Sequence, residues 1–248
     1  ISFWPKNKLP MYQTNVEGTR NLVDVALESN VKKFIHISSI AAIGRKSTDT
    51  IVTEKNTWEE SSINSNYAVT KHQAELEVSR AVEEGLNAVI LNPSIILGPG
   101  VQGSSTVRLF DYVQKGNKFY TDGYINYVDV RDVVKIILFF IDNEFKNGER
   151  HILNGGITTY KDFFGKIAIK LNCKAPHICA HNWMRQLAWR YYAIASFFSK
   201  KEPLITKETA RVASHKIEYQ SEKIKNATDI QFRTLDDTVE WTKARLYN

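Results

Sequence analysis

The sequence contains few of the residues on which small secreted domains and fibrous chains depend. Its 248 residues include 2 cysteines, 6 prolines and 12 glycines. Two cysteines cannot cross-link a chain of this length, and such sparing use is typical of a reducing compartment. The low glycine and proline content, together with 43% hydrophobic residues, excludes collagen-like and disordered chains. We therefore expect a globular fold with a sizeable core.

Long hydrophobic runs are also missing. No uncharged apolar run reaches the roughly 18 residues of a membrane-spanning helix, and the N-terminal residues lack the basic and apolar regions of a signal peptide. The nearest approach is Trp183–Ser199, which Arg185 and Arg190 interrupt. We interpret it as a core or interface helix, the alternatives being a cover over a substrate cavity or a helix on a membrane surface. The sequence thus predicts a cytoplasmic protein without an integral membrane span.

Neither the charge nor the cysteines indicate a nucleic acid or a metal as a ligand. The basic residues behind the formal net charge of +6 do not form the continuous stripe of a nucleic-acid-binding protein. Both cysteines lie with His177 and His181 in a nine-residue run, whereas zinc ligands usually form two separated pairs. We expect a short strand and turn in this run, no metal, and no nucleic acid as a partner.

Helical and extended patterns alternate through the first hundred residues. The apolar spacing predicts a helix over 10–29, a strand over 33–39, a helix over 67–84 and a strand over 87–97. This order favours an α/β protein whose parallel strands are joined by helical crossovers. Beyond residue 100 the pattern predicts helices near 104–115, 129–143, 159–171, 183–199, 206–214 and 235–246, and short strands near 118–120, 125–128 and 150–154.

Tyr67 and Lys71 form the pair with the clearest chemistry. A spacing of four on a helix puts both side chains on one face. A tyrosine that exchanges protons near neutral pH needs a pKa below its usual value of about 10, and an ammonium ~4 Å away lowers that pKa by roughly three units. Ser39 ends the preceding predicted strand, at the edge of a parallel sheet where ligands bind.

The spacing alone does not identify the site. Chance produces about one such pair in a chain of this composition, and Tyr219 and Lys223 are also four residues apart. Tyr219 follows no strand-ending serine at a comparable distance and lies in the polar segment EYQSEKIKNA. We interpret it as a solvated helix start, so the context favours Tyr67 and Lys71.

Three segments, taken in order, resemble a known family. TNVEGTRNLVDVALESNVKKFIHISSIAAIG, NYAVTKHQAE and LNPSIILGPG are similar to the middle of extended short-chain dehydrogenases/reductases, the NAD-dependent epimerase/dehydratase superfamily. ISFWP and PLITKETARVA resemble its dihydroflavonol-reductase-like and 3β-hydroxysteroid-dehydrogenase-like branch. The resemblance implies an α/β fold, a Rossmann-type doubly wound parallel sheet with a smaller, mostly helical substrate lobe. Residues 1–100, with segments near 118–154, would belong to the dinucleotide-binding domain, and residues 101–248 mainly to the substrate lobe.

The resemblance also implies roles for individual residues. Tyr67 would be the acid/base, and Lys71 its activator and a ligand of the nicotinamide ribose. Ser39 would orient the reacting oxygen, and Asn15 matches the family's asparagine near the active site. Asn92 departs from the family, because many relatives have arginine there. The implied cofactor-binding residues are Tyr67, Lys71, Pro93, Ser94, Ile95 and Ile96.

The glycine-rich turn with which the family begins is not found near the start of the sequence. That turn cradles the cofactor's pyrophosphate, so we expect Ile1 to fall part-way through a nucleotide-binding domain, in a full chain of roughly 320 residues. The segment from Gly98 to Gly103 fits G-x-G-x-x-G, but such a match alone is weak. The resemblance gives this turn a substrate-side role instead.

The function implied is that of an NAD(P)-dependent oxidoreductase acting on a small carbonyl or alcohol substrate. The cofactor would be NAD or NADP, with NADP slightly favoured, and helices 10–29 and 67–84 would form a homodimer interface. Two alternatives stay open: a sugar-nucleotide epimerase or dehydratase, and a non-catalytic nucleotide-sensing or scaffold protein. The lack of an adjacent Asp-Glu pair after Ser39 favours the reductase, and the complete set of Ser39, Tyr67 and Lys71 favours an enzyme.

Overall fold

A computed structural model describes residues 5–46, 48–61, 64–101, 106–199, 206 and 216–247. The chain divides into two compact units, each assembled from separate stretches of sequence. The first comprises Ile1–Ser94, Arg131–Asn154 and Tyr219–Phe232, and the second comprises Ile95–Val130, Gly155–Glu218 and Arg233–Asn248. The assignment of a cofactor domain and a substrate lobe to parts of the chain stays a prediction.

The regular elements follow the alternation that the apolar pattern predicts. Among the described residues the strands are β1 (Phe34–Ile37), β2 (Ile51–Val52), β3 (Ala88–Pro93), β4 (Ile95–Leu97), β5 (Phe119–Tyr120), β6 (Tyr124–Asp129), β7 (Arg150–Leu153), β8 (Gly156–Thr159), β9 (Ile178–Cys179) and β10 (Glu218–Tyr219). The α-helices are α1 (Lys8–Tyr12), α2 (Gly18–Glu28), α3 (Asn66–Glu83), α4 (Val107–Gln114), α5 (Val130–Asp142), α6 (Tyr160–Leu171), α7 (Asn182–Ser199), α8 (Glu222–Thr228) and α9 (Leu235–Leu246). A π-helical turn, Gln13–Glu17, joins α1 to α2, and the helix predicted over 206–214 lies outside the described residues apart from residue 206.

The first unit is built on a parallel sheet in the order β1-β3-β7. Every residue of β3 is buried, as expected for a strand that is covered on both faces. On one face Ala88 and Ile90 pack with Val23 of α2 and Val78 of α3. This helix-covered parallel arrangement is Rossmann-like and confirms the predicted fold class.

The apolar run over 87–97 forms two strands, so the single strand predicted there is wrong. Pro93 of β3 pairs with Leu153 of β7, and the amide of Ser94 still donates to the carbonyl of Leu153. From Ile95 onward the chain is β4, which pairs with β6 in the second unit. A continuous apolar run does not reveal where a strand changes its partner, because both partners bury it equally well.

The solvated helix start expected at Tyr219 is also wrong. Tyr219 is 3% exposed and lies on β10, which pairs with β2. Its hydroxyl accepts a hydrogen bond from Arg45 Nη1 at 2.7 Å. Lys223 lies on α8, where its ammonium donates to the carbonyl of Arg150. The polar residues around Tyr219 led to the expectation of a helix start. They belong instead to a two-residue strand and its surroundings, in which the tyrosine is buried and Glu218 is exposed.

The second unit contains a sheet in the order β4-β6-β8, with β4 parallel and β8 antiparallel to β6. Its core joins this sheet to α4, α6 and α9 through buried side chains that include Leu97, Phe110, Phe163 and Val239.

In the part of the chain that the structure describes, none of the helices has the length and hydropathy needed to cross a membrane.

Candidate active site

Tyr67 and Lys71 lie on the first two turns of α3, next to the carboxyl end of β1. The helix is capped by Ser65, whose hydroxyl accepts from the amide of Ala68 at 3.0 Å. The Tyr67 side chain is hydrogen-bonded to Ser39. The Lys71 ammonium donates to the carbonyl of Ile37, the last residue of β1, at 3.0 Å. The structure therefore brings together the serine, tyrosine and lysine that the sequence singles out.

The phenol of Tyr67 does not have the lowered pKa that the spacing predicts. Burial raises the pKa of Tyr67, and the hydrogen bond with Ser39 offsets only part of that effect. The Lys71 ammonium binds a backbone carbonyl, and burial lowers its own pKa while Glu75 opposes the shift. At neutral pH Tyr67 is therefore a protonated phenol, which chemically is a proton donor and not a base.

Ser39 is held by contacts to its backbone and to its side chain. It caps a short 3₁₀ turn, Ile40–Ala42, and its hydroxyl accepts from the amide of Ala41 at 3.2 Å. Its carbonyl accepts from Asn92 Nδ2 at 3.0 Å. These contacts fix the position of the Ser39 hydroxyl relative to the strand end and so to Tyr67.

Asn15 lies in the π-helical turn, a feature that often marks functional positions in helices. Its side-chain amide donates to Thr70 Oγ1 at 3.0 Å, and that hydroxyl donates to the carbonyl of Tyr67 at 3.0 Å. Asn15 is thus linked to the first turn of α3 through one intervening hydroxyl. A catalytic role for Asn15 stays a prediction.

A buried acid–amide pair behind the site was not predicted. Glu75 is 4% exposed and Asn92 is fully buried, and Asn92 Nδ2 donates to Glu75 Oε1 at 2.5 Å. Glu75 Oε2 lies 3.7 Å from Arg150 Nη1. Burial raises the pKa of Glu75. Four neighbours partly offset this rise by favouring the charged carboxylate: Ser38, Arg150, Asn92 and Lys71. The signal for Glu75 was its position, four and eight residues after Lys71 and Tyr67 on the same helix face.

The other predicted cofactor residues fall in both units. Pro93 ends β3 and Ser94 follows it, both buried in the first unit. Ile95 and Ile96 begin β4 in the second unit. The Ser94 hydroxyl is buried and has no hydrogen-bond partner in the described part of the chain. Ser94 therefore offers an unused donor and acceptor just beyond the carboxyl end of a parallel strand.

Gly98 is explained by packing. A Cβ added at this position would lie 2.6 Å from Val130 Cγ1, so that the Val130 side chain would have to move. The rest of the G-x-G-x-x-G pattern includes Gln102 and Gly103, which lie outside the described residues. Across the described ranges no group of three or more His, Cys, Asp or Glu side chains has the arrangement of a metal site.

The buried His36 is expected to make the stability of the first unit depend on pH. It lies on β1, 9% exposed, and burial together with Lys71 lowers its pKa to about 3. The unfolded chain then binds more protons than the folded one below the ordinary histidine pKa, so stability is complete above about pH 6.5 and falls as the pH decreases. We expect this group to cost about 2 kcal/mol at about pH 5.

The variant His36→Leu is expected to remove that cost. Urea unfolding at neutral and acidic pH should show a smaller loss of stability for the variant than for the wild-type chain. Burial lowers the pKa of His151 to about 4, but His151 is present in both proteins and cancels from the difference. Equal losses in the two proteins would show that His36 does not titrate as its surroundings indicate.

Comparison with known proteins agrees with the resemblance seen in the sequence. The model of the NAD dependent epimerase/dehydratase family matches residues 2–156. A putative dihydroflavonol 4-reductase from Synechocystis sp. is 31% identical over 134 residues, which cover 53% of this chain and 39% of the relative. Cinnamoyl-CoA reductase 1 from Petunia hybrida is 27% identical over 180 residues, which cover 66% of this chain and 54% of the relative.

The solved structure of gox2253 is similar to this chain with a TM-score of 0.80 and 29% sequence identity, covering 98% of this chain and 74% of that one. The chain spans about half the length of the curated relatives it matches. Since the family model covers more than half of the sequence, on a Rossmann-like sheet, the chain belongs to the NAD dependent epimerase/dehydratase family.

Proposed function

We propose that the protein is an NAD(P)-dependent oxidoreductase that transfers a hydride between nicotinamide and a carbonyl or alcohol carbon. The observation that carries this proposal is the cluster of Ser39, Tyr67 and Lys71 at the carboxyl end of β1. That end of a parallel strand is where ligands of such folds bind. The names of the reductase relatives support the same reaction class.

The side chains at this sheet edge suit the nicotinamide end of the cofactor. Lys71 and Tyr67 supply a cation and a hydroxyl for ribose oxygens, and the unpartnered Ser94 hydroxyl suits an amide or a further hydroxyl. When bound, the nicotinamide would supply or accept the hydride. We propose NAD or NADP in this role, with NADP slightly favoured.

During reduction, two side chains would act on the substrate oxygen and a third on the tyrosine. The Ser39 hydroxyl would donate a hydrogen bond to the carbonyl oxygen and hold it near Tyr67. The Tyr67 phenol, which burial keeps protonated, would give its proton to that oxygen as negative charge develops there. The Lys71 ammonium would then stabilise the phenolate that is left.

The assay that tests the proposal follows cofactor oxidation by the full product of the gene. NADPH and NADH are offered in turn with a dihydroflavonol, cinnamoyl-CoA and a set of simple aryl aldehydes, and cofactor absorbance is measured. We expect a decrease in absorbance with at least one carbonyl compound. Conversion of a nucleotide sugar without net cofactor oxidation would favour the epimerase instead, and tight cofactor binding without turnover of any compound would favour the sensor.

We also propose a cytoplasmic homodimer formed through the outer faces of α2 and α3. Leu22 and Val25 of α2 and Leu76 of α3 are 64%, 58% and 54% exposed, which is unusual for three large apolar side chains on two adjacent helices. The double variant Leu22→Asp, Leu76→Asp is expected to sediment as a monomer at concentrations where the wild-type protein sediments as a dimer. A monomeric wild-type protein would contradict the proposal.

A further inference from the structure

Helix α7 presents a stripe of large apolar side chains away from its own unit. Trp183, Leu187, Tyr191 and Ile194 are 65%, 59%, 67% and 63% exposed. At 100° per residue these four positions fall within about 80° of the helix circumference. Isolated exposed hydrophobic residues are ordinary, whereas four on one helical face mark a surface that binds something. We call these four residues the outer stripe.

The opposite side of α7 packs against the rest of the second unit. Met184, Ala188 and Tyr192 are half-buried and Ser196 is buried. Arg185, with 12% of its side chain exposed, bonds to Asp122 at 2.7 Å. The Arg185 guanidinium also donates to the carbonyl of Ala180 at 3.0 Å. The packing of α7 on its unit is therefore accounted for without the outer stripe.

The sequence around α7 carries charge of one sign only. The 39 residues from Phe163 to Lys201 include seven Lys or Arg and no Asp or Glu. Their formal charge of +7 is larger than the net charge of the whole chain, which is +6. Lys166 and Lys170 of α6 pair with acids of α9, and Arg185 pairs with Asp122. Arg190 is exposed and lies over the Trp189 ring at 4.7 Å. Lys200 and Lys201 follow the helix in sequence.

We propose that the outer stripe of α7 docks on the surface of an anionic lipid bilayer. A helix with an apolar face that includes Trp and Tyr, flanked by cations and free of acids, lies in the plane of the headgroups. There its apolar side chains enter the acyl boundary, and Arg and Lys reach anionic headgroups. A second copy of the chain fits this face less well, because a two-fold contact would bring the same cations together. The proposal does not depend on the reaction that the protein catalyses.

Vesicle binding tests the proposal directly. The purified protein is mixed with vesicles of phosphatidylcholine alone and with vesicles in which about a third of the lipid is phosphatidylglycerol, and the bound fraction is measured by sedimentation. We expect binding to the anionic vesicles, with a shift of tryptophan fluorescence to shorter wavelength, and weaker binding at high salt. The double variant Leu187→Asp, Tyr191→Asp should bind at least about tenfold more weakly.

A matched control separates the apolar stripe from charge alone. The double variant Val101→Asp, Ile169→Asp adds the same two negative charges at apolar positions of the second unit that are 83% and 77% exposed. We expect it to retain more than half of the wild-type binding. The Leu187→Gln, Tyr191→Gln variant replaces the acidic pair if circular dichroism shows that the acidic pair unfolds the protein.

Three results would overturn the proposal. The first is wild-type protein that stays in solution with anionic vesicles. The second is an equal loss of binding in the stripe variant and the control, which would assign the effect to net charge. The third is concentration-dependent self-association that only the stripe variant abolishes, which would identify a second copy of the chain as the occupant.

Discussion

Replacing Tyr67 by phenylalanine is expected to lower kcat for carbonyl reduction by about 10²- to 10⁴-fold, the usual contribution of a positioned proton donor. The substitution keeps the ring that packs at the start of α3 and removes only the hydroxyl that bonds to Ser39. KM for the carbonyl compound should change little, because the proton transfer that is lost develops in the transition state. Initial rates with the carbonyl compound that the wild-type enzyme reduces fastest give the comparison.

The chain supplies its own control for this experiment in the second Tyr–Lys pair. Tyr219→Phe removes a hydroxyl that bonds to Arg45, on a strand unrelated to the helix of Tyr67. We expect this variant to reduce the substrate at close to the wild-type rate. If Tyr67→Phe keeps a third or more of the wild-type kcat, another group supplies the proton and the proposed mechanism is wrong.

The pH dependence of the reduction rate gives a second test of the role of Tyr67. Because burial raises the pKa of Tyr67, the phenol stays protonated through the neutral range and loses its proton only in alkaline solution. Reduction by the wild-type enzyme should therefore be independent of this group at neutral pH and fall as the pH rises through the Tyr67 pKa. The residual rate of Tyr67→Phe should lack that alkaline decrease.

The second large effect is expected at Asn92, on the stability of the first unit. Asn92→Leu removes the amide that donates to both Glu75 Oε1 and the carbonyl of Ser39. A buried carboxyl that loses its donor costs about 3 kcal/mol of the free energy of unfolding. Urea unfolding of the wild-type and variant proteins measures this difference. The surface variant Asn143→Leu, which loses one exposed amide bond, should change stability by less than about 0.5 kcal/mol.

A double-mutant cycle shows whether the loss arises from the pair. Glu75→Leu combined with Asn92→Leu replaces both polar partners by apolar groups and should be more stable than the sum of the two single changes predicts, by about 2 kcal/mol. Additive losses would show that Asn92 and Glu75 act independently of one another.

The pH dependence of stability gives a further test of this pair. Burial raises the pKa of Glu75 and the hydrogen bond from Asn92 opposes that rise, so removing Asn92 should raise the pKa further. The Asn92→Leu variant should then lose more stability as the pH rises, since ionising the carboxyl opposes folding.

The sequence was sufficient for those parts of the fold and site that depend on local patterns. The spacing of Tyr67 and Lys71 and the strand-ending Ser39 were enough to place three side chains in one cluster, because helix and strand periodicity fix where each side chain points. The change of strand partner at Ser94 and the burial of Tyr219 depend on contacts between distant stretches of the chain. No local pattern encodes those contacts.

The electrostatics of the site was the least predictable part. Spacing placed the Lys71 ammonium near Tyr67 but did not show that the carbonyl of Ile37 accepts its hydrogen bond. Nor did it show that Glu75 and Asn92 form a buried pair behind the strand end. Each of these depends on which polar groups become buried together, and burial is the largest cause of the pKa shifts of Tyr67, Lys71 and Glu75.

The π-helical turn that carries Asn15 has a consequence for the whole N-terminal helix. The buried residues of this helix are Met11, Val16, Thr19, Val23 and Ala26, so the inward-facing positions are separated by three or four residues everywhere except between Met11 and Val16. The extra residue in that one turn keeps a single buried side along all of α1 and α2. A regular α-helix through the same residues would rotate α1 by about 100° relative to α2 and turn Met11 towards solvent. Deleting one residue from Gln13–Glu17 would shorten the separation of Met11 and Val16 from five residues to four, so that a regular helix would again bury the same side.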